Sequence, residues 1–183
     1  SEKFSGMALK TDTDKFMLVN CNQSLGKQHF TICHELYHLF VQKDFSSQVC
    51  RTGLCDKKAD SNEFNEDVFT SYLLLQTDRL LENIPNIEIE KKKISLRTIL
   101  FIEHFYSCSR RALLYRLKTL GLIASAEYDG FILNIKKGAM ENGYATDLYE
   151  KGNHNLVIGD YGIIAKQLFD KETVSESHYY SLL

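Results

Sequence analysis

Two short apolar runs open the chain. Met7-Ala8-Leu9-Lys10 and Phe16-Met17-Leu18-Val19 flank the polar turn Thr11-Asp12-Thr13-Asp14, a pattern that predicts a β-hairpin over residues 4–20. From about Lys27 to Gln42 the apolar period changes to that of a helix, with Ile32, Leu36, Leu39 and Phe40 on one side. Residues 43–60 are polar and irregular and read as a loop. A second helix is expected from Ser61 or Asn62 to about Thr77, with Phe64, Val68, Tyr72 and Leu75 in one row and Phe69 and Leu73 beside it.

Pro85, the only proline, marks an expected seam. Beyond it, Ile94 to about His104 is helical in pattern and Phe105-Tyr106-Ser107 makes a turn. A helix capped by Ser107 or Ser109 then carries Leu113, Leu114, Leu117 and Leu120 before Gly121. Residues 128–135 read as a strand and 138–152 as a loop with some helical character. Val157 to Phe169 reads as a helix, or a strand followed by one. The sum is an α+β chain: a core over 1–84, with a small antiparallel sheet and a site-bearing helix, and a region over 85–183 packed on it. Two short helices with a tight turn in that second region resemble a helix-turn-helix.

Composition changes this picture little. With 44% hydrophobic and 25% charged residues, the 183-residue chain is ordinary for a soluble globular protein. Its longest apolar runs are too short to span a bilayer. Five cysteines without a Cys-x-x-Cys pair favour reduced thiols and a cytoplasmic setting, although Cys50 and Cys55 could close a small loop if oxidised. The chain begins with Ser rather than Met, which raises the expectation of an upstream segment removed or never included. Charge is uneven. Residues 1–84 hold 9 Lys/Arg against 12 Asp/Glu, net −3, whereas 91–118 hold eight basic residues against Glu103 alone, net +7.

The chemistry is concentrated in the first helix, at His34-Glu35-Leu36-Tyr37-His38. Residues four apart on a helix project from one face about 5–6 Å apart. Two imidazoles so placed can converge on one ion at about 2.0–2.1 Å. Glu35, beside them, can take a proton from a water on that ion. The apolar side of the helix is expected in the core and the metal side in a cleft.

Two histidines need a third ligand, and the second helix offers acids for it. Glu63 lies 25 residues after His38 and shares a helical face with Asp67. Two His and one Glu leave a fourth position open, as catalytic zinc requires. Glu63 is the preferred ligand because Asp67 can then fix a histidine tautomer from the second shell. Glu66 competes at nearly the same spacing.

At this point the chain resembles the ImmA/IrrE metallopeptidases, a zincin-like family. The matching residues are Phe30-Thr31-Ile32-Cys33-His34-Glu35-Leu36-Tyr37-His38 and Glu63-x-x-x-Asp67-x-Phe69-x-x-x-Leu73-Leu74. Glu66 and Thr70 stand where the family has small residues, and Leu75-Gln76 where it has Met-Pro. Further likeness runs through Phe105 to Leu117 and Leu156 to Leu183. The resemblance implies a zinc endopeptidase with His34, His38 and Glu63 as ligands and Glu35 as base. It also implies a protein substrate, such as a helix-turn-helix repressor whose cleavage releases transcription. Manganese or iron would also suit two imidazoles and a carboxylate. His104 and Tyr72 are candidates for steadying the oxyanion.

A different class of function is a metal-containing regulator that binds DNA or a repressor without proteolysis. Arg110, Arg111, Arg116 and Lys118 lie on the expected second helix of the basic segment, where a recognition helix carries its cations. The same residues could equally form the solvated face of a packing helix.

Overall fold

The computed structural model describes residues 4–43, 45, 47–51 and 61–182, without the side chains of 48–51, 61–65 and 67. The opening hairpin forms as its pattern predicts. Strand β1 (Phe4–Lys10) pairs antiparallel with β2 (Lys15–Val19), Gly6 opposite Val19 and Lys10 opposite Lys15. Thr11 and Asp14 close the turn, the Thr11 amide donating to the Asp14 carbonyl at 2.9 Å and the Asp14 amide to Thr11 Oγ1 at 2.9 Å. A third strand, β3 (Ser47–Arg51), lies in the segment expected to be loop and pairs with the other edge of β1, giving the order β2-β1-β3. Residues 47–51 look irregular because a short strand on a sheet edge needs few apolar side chains. The proposed Cys50–Cys55 loop lies outside the described residues.

Helix α1 (Leu25–Phe40) runs against this sheet. Its burial inverts the expected amphipathicity. Thr31, His34, Glu35 and His38 are buried with Leu39, while Ile32 and Leu36 are half-buried and Phe40 is 66% exposed. The polar face is interior because β1 and α2 (Ser61–Leu74) both pack on α1. Contact with the sheet is close enough to require glycine. A Cβ at Gly6 would lie 2.6 Å from Thr31 Cγ2, 3.0 Å from Glu35 Oε1 and 3.0 Å from the Leu18 carbonyl. Gly6→Ala should therefore lower stability by about 1–3 kcal/mol, the usual range for overpacking. Thermal unfolding beside Gly130→Ala, where nothing lies within 4 Å of the added carbon, checks this. Equal midpoints would refute so close an approach.

The N-terminal end of α1 is held by side chains rather than by a cap. Gln28 Nε2 donates to the carbonyls of Gln23 at 2.8 Å and Gly152 at 3.1 Å, and the Leu25 amide donates to the Glu150 carbonyl. A Cβ at Gly26 would stand 2.9 Å from the Ser109 amide nitrogen, so this end abuts the turn between the next major helix pair.

Short helices α3 (Thr77–Glu82) and α4 (Asn86–Lys91) lead to α5 (Leu96–Phe105) and α6 (Arg110–Thr119). Ser95 and Ser109 accept from the Thr98 and Ala112 amides as helix caps. The main apolar core is built here, from Leu75, Leu80 and Ile84 through Ile94, Ile99 and Ile102 to Leu113, Leu114 and Leu117. It includes residues from both sides of Pro85, so the expected seam at 84/85 does not divide the hydrophobic interior. Residues 128–135, expected as a strand, belong instead to α7 (Ser125–Phe131) and the start of α8 (Ile135–Glu141). Asn134, left-handed at φ 50°, separates the two. A single 3-10 turn follows at Asp147–Tyr149.

Residues 1–152 form one compact unit and 153–183 another. The second consists of α9 (Tyr161–Asp170) and α10 (Glu176–Leu182), joined where the rings of Phe169 and Tyr179 stack 4.9 Å apart. Among the described residues no helix is long and apolar enough to cross a membrane.

Candidate metal centre

Helix α1 presents His34 and His38 one turn apart, and α2 brings a carboxylate to them. That carboxylate belongs to Glu66, the acid the sequence ranked second. Its Oε2 lies 3.5 Å from His34 Nε2 and 3.6 Å from His38 Nε2, and the two ring nitrogens are 3.3 Å apart. All three side chains are buried, and together they can hold a divalent ion. The side chains of Glu63 and Asp67 lie outside the described residues.

The orientation of His38 comes from a residue that sequence reasoning missed. Its Nδ1 donates to Gln42 Oε1 at 2.5 Å, which leaves the lone pair of Nε2 for the cluster. Gln42 sits four residues after His38, just past the end of α1. A His-x-x-x-Gln spacing is the signal that could have found it. Phe45 stacks on the same imidazole, centroids 4.7 Å apart and 18° between planes. The ring is thus held at its edge and its face.

Glu35 lies on the same buried turn, next to His34. It is fully buried, and neither oxygen accepts a hydrogen bond from the described residues. Burial pushes its carboxyl up to about 7; the charge of Glu66 adds to the rise and His34 opposes it. The folded value exceeds the ordinary 4.5, so the metal-free fold holds this proton more tightly than the unfolded chain does. Its contribution to stability is full below pH 4.5 and is lost as pH rises through about 7. Metal-stripped wild type should thus lose on the order of 2–3 kcal/mol between pH 5 and pH 8 relative to Glu35→Gln, whose amide has nothing to titrate. Urea denaturation of both proteins at the two pH values gives the difference. Parallel curves would contradict the buried environment of Glu35.

The remaining candidates are engaged elsewhere. His104 Nε2 meets the Tyr149 hydroxyl at 3.1 Å and its ring stacks on Tyr144. Tyr72 is half exposed and lies against the Arg116 guanidinium. Two of the four cations expected on a solvated face are interior. Arg110 is 3% exposed, and its Nε and Nη2 donate to both oxygens of Glu103, which also accepts from the Tyr149 hydroxyl. Arg116 is likewise 3% exposed. Arg111 and Lys118 remain at the surface. The reason is packing. Arg110 and Arg116 share the inner side of α6 with Leu113, Leu114 and Leu117, a face that a count of positive charge cannot distinguish from the outer one.

No match was found among curated proteins or among solved structures. A family model does match, and it covers the sheet, α1, α2 and the helices through α6. With residues 2–118 fitting the IrrE N-terminal-like domain of the M78 peptidases, the chain belongs to that metallopeptidase family.

Proposed function

We propose that the protein is a zinc-dependent endopeptidase in which His34, His38 and Glu66 hold the ion and Glu35 moves the proton. The separations of 3.3, 3.5 and 3.6 Å between donor atoms carry this reading. A tetrahedral ion with ligands at about 2.0–2.1 Å has neighbouring ligands about 3.3–3.4 Å apart, so three corners of such a site stand ready. One Nε2 pair and one carboxylate leave the fourth corner to water or substrate, the open arrangement of catalytic zinc. Manganese and iron accept the same donors.

A bound zinc ion supplies Lewis acidity toward the scissile carbonyl and lowers the pKa of water toward about 7. Glu35, buried beside His34, takes the proton of the attacking water and returns it to the leaving amine. Gln42 keeps His38 in the tautomer that ligates, and Phe45 shields its ring from solvent. Strand β2, at the sheet edge, offers backbone groups to an extended peptide, with Phe16 and Leu18 exposed alongside.

The substrate we infer is a protein, in keeping with the family, and specifically a helix-turn-helix repressor acted on in the cytoplasm. The regulator reading retains only Arg111 and Lys118 of its four cations at the surface, so proteolysis is favoured. Incubating zinc-loaded protein with the repressor-like product of a neighbouring gene, with and without chelator, tests this. New peptide termini that vanish on chelation and return with zinc are expected. Intact repressor under all conditions, bound to a metal-loaded protein, would overturn it.

A further inference from the structure

Helix α6 buries two arginines, and only one has a counter-ion among the described residues. Arg110 takes Glu103. Arg116 donates Nη2 to Thr77 Oγ1 at 2.5 Å and rests 3.9 Å from the centroid of the Tyr72 ring. Its Nε is buried without a hydrogen-bond partner, and no carboxylate among the described residues pairs with it. A guanidinium carries its charge wherever it is placed, and a buried charge without an anion is costly. An aromatic face and one hydroxyl offset only part of that cost.

Arg116 also lines a cleft of about 430 Å³ between α2 and α6. Small-molecule sites fall in that size range. Its walls are mostly apolar, from Val68 and the rings of Tyr72 and Tyr115, while Lys118 supplies a second cation and Ser71 and Thr119 add hydroxyls. The planar fork of arginine matches a carboxylate, and tyrosine rings match a flat or branched apolar body.

We propose that this cleft binds a small organic carboxylate, its anionic end against Arg116 and Lys118 and its apolar body between the tyrosines. None of its lining residues belongs to the metal cluster, so the proposal stands apart from the peptidase reading. The probe is 3-phenylpropionate, with 3-phenylpropionamide as neutral counterpart and inorganic phosphate as bare anion. Two-dimensional 1H–15N spectra follow the Arg116 Nε–Hε and Thr119 amide resonances.

Saturable shifts at both groups are expected, with the amide at least about tenfold weaker for want of charge-assisted hydrogen bonds. Thr119→Trp, an exposed position that fills the cleft, should abolish the shifts. Lys118→Ala should weaken binding about 3–10-fold. The proposal is overturned by an absence of saturation below about 10 mM, weaker than any useful ligand of this size. Equal binding of the amide, or phosphate alone saturating the same resonances as tightly, would also overturn it. Should Thr119→Trp fail to fold, the amide and Lys118→Ala comparisons still decide.

Discussion

Glu35→Gln should retain its metal and lose about 10²–10⁴-fold in peptide cleavage. That range is what a positioned proton carrier contributes to a hydrolytic step. The amide fits the same buried space against Gly6 and Thr31 and offers no base. His34, His38 and Glu66 keep their spacing, because Glu35 donates to none of them and is held by packing. Metal content per chain and cleavage rate, measured on the same preparation, separate the two roles. A variant that cleaves normally would assign the base elsewhere. One that loses its metal would show Glu35 to be part of the ligand set. The observation behind the expectation is a carboxylate fully buried next to His34 and free of hydrogen bonds from the described residues.

The sequence is legible wherever function requires a local pattern. His34, Glu35 and His38 are one helical turn, so spacing alone brings them together. The hairpin is equally local, four turn residues between two apolar runs. Legibility fails where the answer depends on what packs against what. The apolar stripe of α1 suggests its buried side, but two neighbouring elements cover the polar side instead, and Leu39 is the one member of that stripe fully enclosed. Residues 128–135 have strand-like composition, with Phe131, Ile132, Leu133 and Ile135. They form helix because Ser125 to Phe131 closes a short turn from the capped Ala124, whose amide donates to Glu127. Arg110 and Arg116 look like surface charge until Glu103 and Tyr72 are brought to them. Arg116 and the polar side of α1 depend on residues distant in the chain, and no periodicity encodes such a partner.

For the third ligand two acids of α2 are candidates, and metal affinity decides between them. Glu63 and Glu66 are three apart on one helix, so both lie near the face that approaches α1, and sequence spacing separates them poorly. The separations of 3.5 and 3.6 Å from Glu66 to the two imidazoles favour that residue. Glu66→Ala should weaken zinc binding by more than about 100-fold, exceeding the usual 10–100-fold cost of an outer-shell loss. Gln42→Leu, which frees His38 Nδ1, should fall within that 10–100-fold range. Glu63→Gln should remain within a few-fold of wild type if it is not a ligand. Competition against a chelating dye at fixed pH ranks the three. The pH must be fixed because protons compete with metal for every ligand. Near-normal affinity in Glu66→Ala together with a large loss in Glu63→Gln would move the third corner of the site one helical turn toward the start of α2. The near-equilateral spacing of the three donors would then have to be coincidental.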